Sequence, residues 1–223
     1  MVDTGPVNWS VEHRSGRAQD LHDAGVDPGA RRVVVHRVEA PAVVLGSSQD
    51  VSVVDRTAAA AAGVEVARRR SGGGAVLLVP GAQVWVDVVV PAGDPLWDDD
   101  VCRASWWLGE AWARALGGGE VHRAGGSDRD AGRVACFASV GPGEVVQDGA
   151  KVLGISQRRT RSGARFQCVA YRDAVGARLV GLLDAAAVGD PPWTAVGTAL
   201  VERSAAAVPV GWDVVEDLVP HLP

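Results

Sequence analysis

The chain has 223 residues, of which 47% are hydrophobic and 22% are charged. This composition is typical of a globular domain and excludes disordered, collagen-like and coiled-coil proteins. The formal net charge is −5, which argues against a general nucleic-acid coat protein, because such proteins are normally basic. The three cysteines are too few and too scattered for a disulfide framework or a zinc site, which favours a reducing compartment.

The first twenty residues lack the charged and apolar regions of a signal peptide, and no apolar run is long enough to span a membrane. We therefore expect a soluble, cytoplasmic protein that binds neither membrane nor nucleic acid. No repeat or long linker divides the sequence. We expect residues 1–223 to form a single catalytic-type domain with its core at about 30–185, without a C-terminal accessory domain.

The first half of the chain alternates between helical and β-type patterns. Residues 11–25 carry a weak helical pattern closed by Gly25, and residues 47–63 read as a helix closed by Gly63. Runs rich in β-branched residues predict strands between and after them. These predicted strands cover residues 31–38, 41–46, 64–70, 75–80 and 82–91.

The second half opens with the clearest predicted helix, over residues 94–119, with acidic residues at its start and Gly117 to Gly119 at its end. Residues 144–159 predict a hairpin with Asp148-Gly149 as its turn. Another strand follows at 164–171, and short helices follow from Asp173. Because the strands come in hairpin-like runs, the sequence predicts an α+β fold with a mixed, mostly antiparallel sheet flanked by helices.

Two segments contain residue types that bind anions. Arg68-Arg69-Arg70-Ser71-Gly72-Gly73-Gly74-Ala75-Val76 follows a predicted strand, and its glycines allow a turn whose N–H groups face an anion. Lys151 is the only lysine of the chain, whereas arginine supplies the other 21 basic residues. Lys151 begins a patterned predicted strand in a chain from which coding bias has removed every other lysine. Its retention favours a role that needs a compact ammonium, in catalysis or in contact with a phosphate. The alternative for the first segment is a glycine-rich turn exposed to solvent, and the alternative for Lys151 is a solvated lysine at the edge of the sheet.

Together these two segments resemble the lipoate–protein ligase A family of the biotin/lipoate ligase superfamily. RRRSGGGAV is followed about 75 residues later by GAKVLGISQRR, and PAVVLGSSQ at 41–49 and ACFAS at 135–139 also fit the group. The resemblance covers roughly residues 30–185. It implies the fold shared by biotin ligases and class II synthetases.

The resemblance also implies a reaction and its site. ATP and Mg²⁺ would convert lipoate or octanoate to an acyl-adenylate, and a lysine of an acceptor lipoyl domain would attack it. Acceptors would be lipoyl domains of 2-oxoacid dehydrogenases or the glycine cleavage H protein. Lys151 would be catalytic, with no protein metal site. The residues expected to bind ATP and lipoyl-adenylate are Arg69, Arg70, Ser71, Gly72, Gly73, Gly74, Ala75, Val76, Leu77, Gly154, Ser156 and Gln157.

Two alternatives to the ligase remain at this stage. Cys136, in a Cys-Phe pair upstream of Lys151, resembles the nucleophile of cysteine-dependent octanoyl- and lipoyl-transferases, which need no ATP. A buried strand cysteine is the plainer interpretation of Cys136, as we expect for Cys102 and Cys168. Leu78 and Gln167 stand where the family commonly has histidine, which leaves open a non-catalytic relative that binds lipoate or a nucleotide. An accessory subunit could also complete a ligase.

Overall fold

The computed structural model describes residues 9–125, 129–190, 192–203, 211 and 213–223. Strands in these residues are β1 (Ser10–Gly16), β2 (Arg32–Val38), β3 (Ala42–Leu45), β4 (Glu65–Arg68), β5 (Val76–Leu78), β6 (Gln83–Pro91), β7 (Glu120–Val121), β8 (Val145–Gln147), β9 (Ala150–Arg159) and β10 (Gly163–Tyr171). The α-helices are α1 (Ala18–Asp23), α2 (Arg56–Ala61), α3 (Trp106–Ala115), α4 (Arg129–Val134), α5 (Gly176–Val180), α6 (Ala185–Val188), α7 (Pro192–Gly197) and α8 (Val214–Leu218). None of these helices is long and apolar enough to cross a membrane.

Two sheets organise the fold. The larger has seven strands in the order β1-β2-β6-β10-β9-β8-β7, and its pairs are antiparallel except for β1 with β2. The smaller has the order β4-β3-β5, in which β3 pairs parallel with β4 and antiparallel with β5. The predicted mixed, mostly antiparallel α+β fold is therefore confirmed.

The faces of the large sheet bury two separate apolar cores. Alternate residues of β6 and β10 point to opposite faces, as the period of a strand requires. One face packs Trp112 and Leu108 of α3 and Leu218 of α8 against the even-numbered valines of β6. The other face, which includes Trp85 and Tyr171, covers the small sheet and the segment that carries Cys136.

Strand register arranges this second face in successive rows. Gly154, Val169 and Trp85 lie in one row across β9, β10 and β6. Ser156, Gln167 and Asp87 form the next row, and Arg158, Arg165 and Val89 form the row after that. The surface of the sheet therefore changes from apolar to polar to basic along the strand direction.

Most predicted strands are confirmed, and the hairpin turn is confirmed in detail. Asp148 and Gly149 have φ of 48° and 78°, the left-handed pair that a tight type I′ turn requires. The helix expected at 11–25 is wrong for its first part, which forms the edge strand β1, paired parallel with β2. An edge strand is largely exposed, so its polar residues leave no clear period-2 pattern.

The other differences concern helix starts and one cysteine. The helix predicted over 47–63 becomes a 3₁₀ turn at Val51–Val53 followed by α2, which is capped by the Asp55 carboxylate. The long helix begins later than expected, because Asp100 accepts a hydrogen bond from Cys102 N (2.8 Å) and forms a turn there. Cys102 is exposed, so its assignment to the core is wrong, whereas Cys168 is fully buried as expected.

Candidate functional site

The glycine-rich loop between β4 and β5 is packed against its neighbours rather than open to solvent on all sides. A Cβ on Gly74 would lie 2.5 Å from the carbonyl oxygen of Gly132, so only glycine fits there. Arg69 braces the loop from inside, donating from Nη2 to the carbonyl oxygens of Gly72 and Gly74, both at 2.8 Å. Burial lowers the pKa of Arg69 below its ordinary value. The loop therefore has a fixed shape.

The same loop positions Cys136. Ala75 forms an isolated parallel bridge with Ala135, and Cys136 N donates to the carbonyl oxygen of Ala75 (2.9 Å). Gln49, in the sequence segment GSSQ, donates from Nε2 to the carbonyl oxygens of Arg133 and Val134 at 2.8 and 3.0 Å. Cys136 is thus held in a 3₁₀ turn, Cys136–Ala138, rather than in the strand that its plainer interpretation assumed.

Lys151 lies directly beside this cysteine. Its Nζ is 3.5 Å from Cys136 Sγ and also donates to the carbonyl oxygens of Cys136 (2.7 Å) and Ser139 (3.0 Å). The Glu144 carboxylate forms an ion pair with the same ammonium at 2.6 Å. Three oxygens therefore match the three N–H donors of the ammonium, and the sulfur competes for one of them.

Electrostatics keep Lys151 charged although its side chain is only 3% exposed. Burial by itself would lower the pKa of Lys151, but negative charge on Cys136 and Glu144, with hydrogen bonds to both, outweighs burial and raises it. Glu144 is also fixed by two backbone donors, Gly141 N at 2.6 Å and Ile155 N at 3.0 Å. The ammonium is therefore favoured as the charged form and held by several contacts in this arrangement.

An open groove and a closed apolar cavity meet at Cys136. The groove has a volume of about 390 Å³ and is lined by Gly72 to Gly74, Arg133, Lys151 and Gln157 among others. The apolar cavity, about 30 Å³, lies between Val76, Phe137, Trp85 and Val169. Cys136 and Ser156 line both spaces, so an atom bonded to Sγ has access to each.

Most of the residues expected from sequence to bind nucleotide and acyl group line the groove or the apolar cavity, and four of them do not. Residues at the groove are Gly72, Gly73, Gly74, Lys151, Ser156 and Gln157, and residues at the apolar cavity are Arg69, Val76, Gly154 and Ser156. Arg70 instead lines a third cavity of about 170 Å³ and lies 3.9 Å from Asp23. Ser71 is buried and donates to Gln167 Oε1 (2.7 Å). Ala75 and Leu77 are fully buried and line neither the groove nor the apolar cavity.

Sequence reasoning missed two residues that the structure brings to the site. Glu144 gave no signal beyond being an acidic residue at a strand start, because its pairing with Lys151 depends on the β8–β9 hairpin. His22 gives no sequence signal of a site, yet it is 5% exposed and lines the apolar cavity. Only the packing of α1 against the large sheet places it there.

Comparison with known proteins now identifies the family. A family model described as the lipoyl protein ligase A/B catalytic domain matches residues 7–188, well over half of the chain. The chain therefore belongs to that family, as the paired sequence motifs indicated. No curated protein sequence matches it significantly.

Solved structures show the same fold at low sequence identity. A protein from T. acidophilum assigned as a lipoate protein ligase, with bound lipoic acid, is 16% identical with a TM-score of 0.69, covering 95% of this chain and 81% of that one. A lipoate-protein ligase A bound with ATP is 16% identical with a TM-score of 0.68, over 95% and 81%. A bi-partite lipoate protein ligase with its E2 lipoyl domain, from Thermoplasma acidophilum, is 17% identical with a TM-score of 0.66, over 95% and 82%.

Proposed function

We propose that this protein is an enzyme of protein lipoylation that carries its acyl group on Cys136 before passing it to a lysine of a lipoyl domain. The observation that supports this proposal best is the position of Cys136. Its sulfur lies 3.5 Å from a buried ammonium, at the junction of an apolar cavity and an open groove. An acyl thioester at this point would have its carbonyl carbon at the groove and its chain directed toward the apolar side, where the cavity of about 30 Å³ would have to widen to take an eight-carbon chain.

The reaction then has two balanced transfers. The Cys136 thiolate attacks the carbonyl carbon of an acyl thioester donor, and the donor sulfur leaves as a thiol once it has taken a proton. The ε-amine of the acceptor lysine next attacks the Cys136 thioester and forms the amide. The Cys136 sulfur leaves as the thiolate that began the cycle, and the proton that the amine loses balances the one taken up by the donor sulfur, so no ATP or redox partner is required.

Lys151 places a buried positive charge 3.5 Å from the nucleophilic sulfur in this scheme. An ammonium within hydrogen-bonding reach stabilises a thiolate relative to a thiol, and burial strengthens the interaction by excluding water. Glu144 and the two backbone carbonyls keep Nζ in place beside the sulfur. The cluster therefore orients the charge before any substrate binds.

A second candidate is the ATP-dependent ligase, favoured by the full Ser-Gly-Gly-Gly loop and by a fold shared with a ligase solved with ATP. Here MgATP would convert the acyl carboxylate to an acyl-adenylate with loss of pyrophosphate. The groove fits a nucleotide only in part. Its described lining offers the glycine backbone, Arg133, two serines and Gln157, whose Nε2 has no partner among the described residues, while Lys151 has its three donors occupied. A phosphate would need Lys151 to leave Glu144.

The acceptor and partner proteins follow from the same family relationship. We propose lipoyl domains of 2-oxoacid dehydrogenases or the glycine cleavage H protein as acceptors, with residues 1–223 acting as one catalytic domain in the cytoplasm. That one structural relative is bi-partite, and was studied with its E2 lipoyl domain, supports a separate accessory subunit for the ATP-dependent route.

Intact mass spectrometry of an apo lipoyl domain tests the proposal. The domain is incubated with the protein and either octanoyl-carrier protein without ATP, or lipoate with ATP and Mg²⁺. We expect acylation without ATP, together with a hydroxylamine-sensitive acyl group on the enzyme. Cys136→Ser should reduce transfer by at least about 10³-fold, the scale of removing a nucleophile.

Cys102→Ser is the matched control, because Cys102 is exposed and remote from the groove, and it should leave transfer unchanged. Acylation only with ATP, in both wild type and Cys136→Ser, would establish the ligase and refute the thioester route. Failure of both reactions, with preformed lipoyl-adenylate also inactive, would support a non-catalytic binder.

A further inference from the structure

The third cavity is basic and is separate from the proposed reaction centre. Five of the side chains that line it carry a positive charge or a hydroxyl group, and no acidic residue is among its described lining. These five are Arg70, Arg158, Arg165, Thr160 and Ser162. Cys136 and Lys151 line the groove instead. The cavity measures about 170 Å³, whereas about 10–15 Å³ is enough for one water molecule, so a group of several heavy atoms fits in it.

Strand register brings the arginines of this cavity together. Arg158 of β9 and Arg165 of β10 are directly opposed in the antiparallel ladder. Side chains at such positions start about 5 Å apart, and like charges placed there are destabilising. Arg70 joins them from the glycine-rich loop, because Arg158 Nη1 donates to its carbonyl oxygen at 3.2 Å. The fold therefore holds three guanidinium groups around one cavity against their mutual repulsion.

Carboxylates compensate only part of this charge. Arg165 donates from Nε to Asp87 Oδ2 at 2.7 Å, so its charge has a buried partner. Arg70 lies 3.9 Å from Asp23 Oδ1, which is beyond hydrogen-bonding distance, and both side chains are more than half exposed. The hydrogen bond that Arg158 makes within the described residues goes to a neutral carbonyl. About two positive charges are therefore left for a ligand, which matches the charge of a phosphate dianion.

The geometry of the available donors also suits a phosphate. A guanidinium group has five N–H donors in one plane and binds phosphate through two of them at once. The turn between β9 and β10 adds two hydroxyl groups, Thr160 Oγ1 and Ser162 Oγ, which lie 3.1 Å apart. A phosphate between the arginines would gain charge-assisted hydrogen bonds and would relieve the repulsion between Arg158 and Arg165.

We propose that the third cavity binds the phosphate group of a ligand, at a site distinct from the cluster of Cys136 and Lys151. This inference goes beyond the proposed function and does not rest on it, because acyl transfer uses neither Arg158 nor Arg165. Inorganic phosphate and a phosphate ester on a larger molecule are the two sources of such a group. Both would be recognised by the same contacts.

Isothermal titration calorimetry with inorganic phosphate tests the site on the full chain. The titration is made at about pH 8, where phosphate is largely a dianion, and at constant ionic strength, because salt screens exposed charges. We expect binding at one site per chain and at least about tenfold weaker binding of acetate. Arg158→Gln should weaken phosphate binding by about tenfold. Arg158 is exposed, so this variant should fold.

Arg161→Gln is the matched control. Arg161 is an exposed arginine in the turn that follows β9, but it does not line the cavity. Its removal subtracts the same charge from nearly the same place, so phosphate affinity should stay within about twofold of the wild type. On the wild type itself, the ¹⁵N resonances of Arg158 Nε and Arg165 Nε should move with phosphate and saturate, and should not move with acetate.

Glycerol 3-phosphate distinguishes the two sources. Tighter binding of this ester than of inorganic phosphate would indicate a phosphorylated ligand, and tighter binding of the free ion would indicate inorganic phosphate. Phosphate that binds no better than acetate, equal losses in Arg158→Gln and Arg161→Gln, or arginine resonances that ignore phosphate would each overturn the inference. None of these measurements requires acyl transfer, so a protein without transfer activity would refute the proposed function alone.

Discussion

Two buried carboxylates on the same side of the large sheet, each beside a nitrogen-bearing side chain, differ in what surrounds them. Lys151 and Glu144 are 3% and 5% exposed and lie 2.6 Å apart, while His36 and Asp87 are both fully buried and lie 2.8 Å apart. The first pair adjoins a groove and a cysteine sulfur. The second is covered by Trp85, whose Nε1 donates to Asp87, and is paired again by Arg165.

This comparison shows that buried charge does not mark a reactive site. A pKa is shifted in both pairs. The pKa of Lys151 is raised, and the pKa of Asp87 is lowered because its interactions with His36 and Arg165 outweigh burial, which by itself would raise it. Buried ion pairs contribute little net stability, although removal of one partner is costly because it leaves the other uncompensated. What separates the two is contact with the groove and with the Cys136 sulfur, which the Lys151 pair has.

Lys151→Met should therefore affect both activity and stability, and its effect on acyl transfer is the largest expected within the comparison. Acyl transfer should fall by at least about 10²-fold, because the charge beside Cys136 is gone. The free energy of unfolding should fall by about 3 kcal/mol, since Glu144 becomes an unpaired buried carboxylate. Transfer assays and urea denaturation measure the two effects separately.

The double variant Lys151→Met with Glu144→Gln separates these roles. Neutralising the carboxylate should recover part of the lost stability and none of the lost transfer. Recovery of transfer together with stability would mean that Lys151 acts only through folding, and the contrast between the two pairs would then disappear.

Asp87→Asn tests the other pair. It should lower the free energy of unfolding by about 3–5 kcal/mol, because Arg165 loses its charged partner and an amide N–H₂ group now faces donors. The rate of transfer per folded molecule should stay within about twofold of the wild type. A large loss of transfer in protein shown to be folded by circular dichroism would place Asp87 in the functional site.

Local patterns in the sequence predicted much of the architecture and the centre of the site. The hairpin that carries Lys151 has its turn residues and its alternation in one short segment, so it could be predicted without tertiary information. The pairing of the glycine-rich loop with Lys151 came from resemblance to a family. Both depend on contiguous residues.

Contacts between distant segments could not be predicted in the same way. His22 reaches Gln167 across 145 positions of sequence, and α1 must first dock beside the sheet for the two to meet. The orientation of Cys136 likewise depends on Gln49 and on the bridge between Ala75 and Ala135. The hydrophobic periodicity of the sequence does not predict such contacts, because each is made by a single side chain at the end of an element.

The smallest predicted effect concerns His22, whose charge environment is set by Asp87, Arg165, Arg69 and His36. Its pKa is about 3 in the folded chain against an ordinary 6.5, so below pH 6.5 the unfolded chain binds a proton that the folded chain refuses. Stability from this residue is complete above pH 6.5 and falls by about 1.4 kcal/mol per pH unit below it, with no further loss below the folded pKa.

Urea denaturation at about pH 7 and pH 5 should therefore show a loss of about 2 kcal/mol in the wild type that is missing in His22→Phe. The exposed His13 provides the control, since His13→Phe should keep the wild-type loss. An equal pH dependence in wild type and His22→Phe would mean that His22 takes up a proton in the folded protein, so that its burial does not lower its pKa.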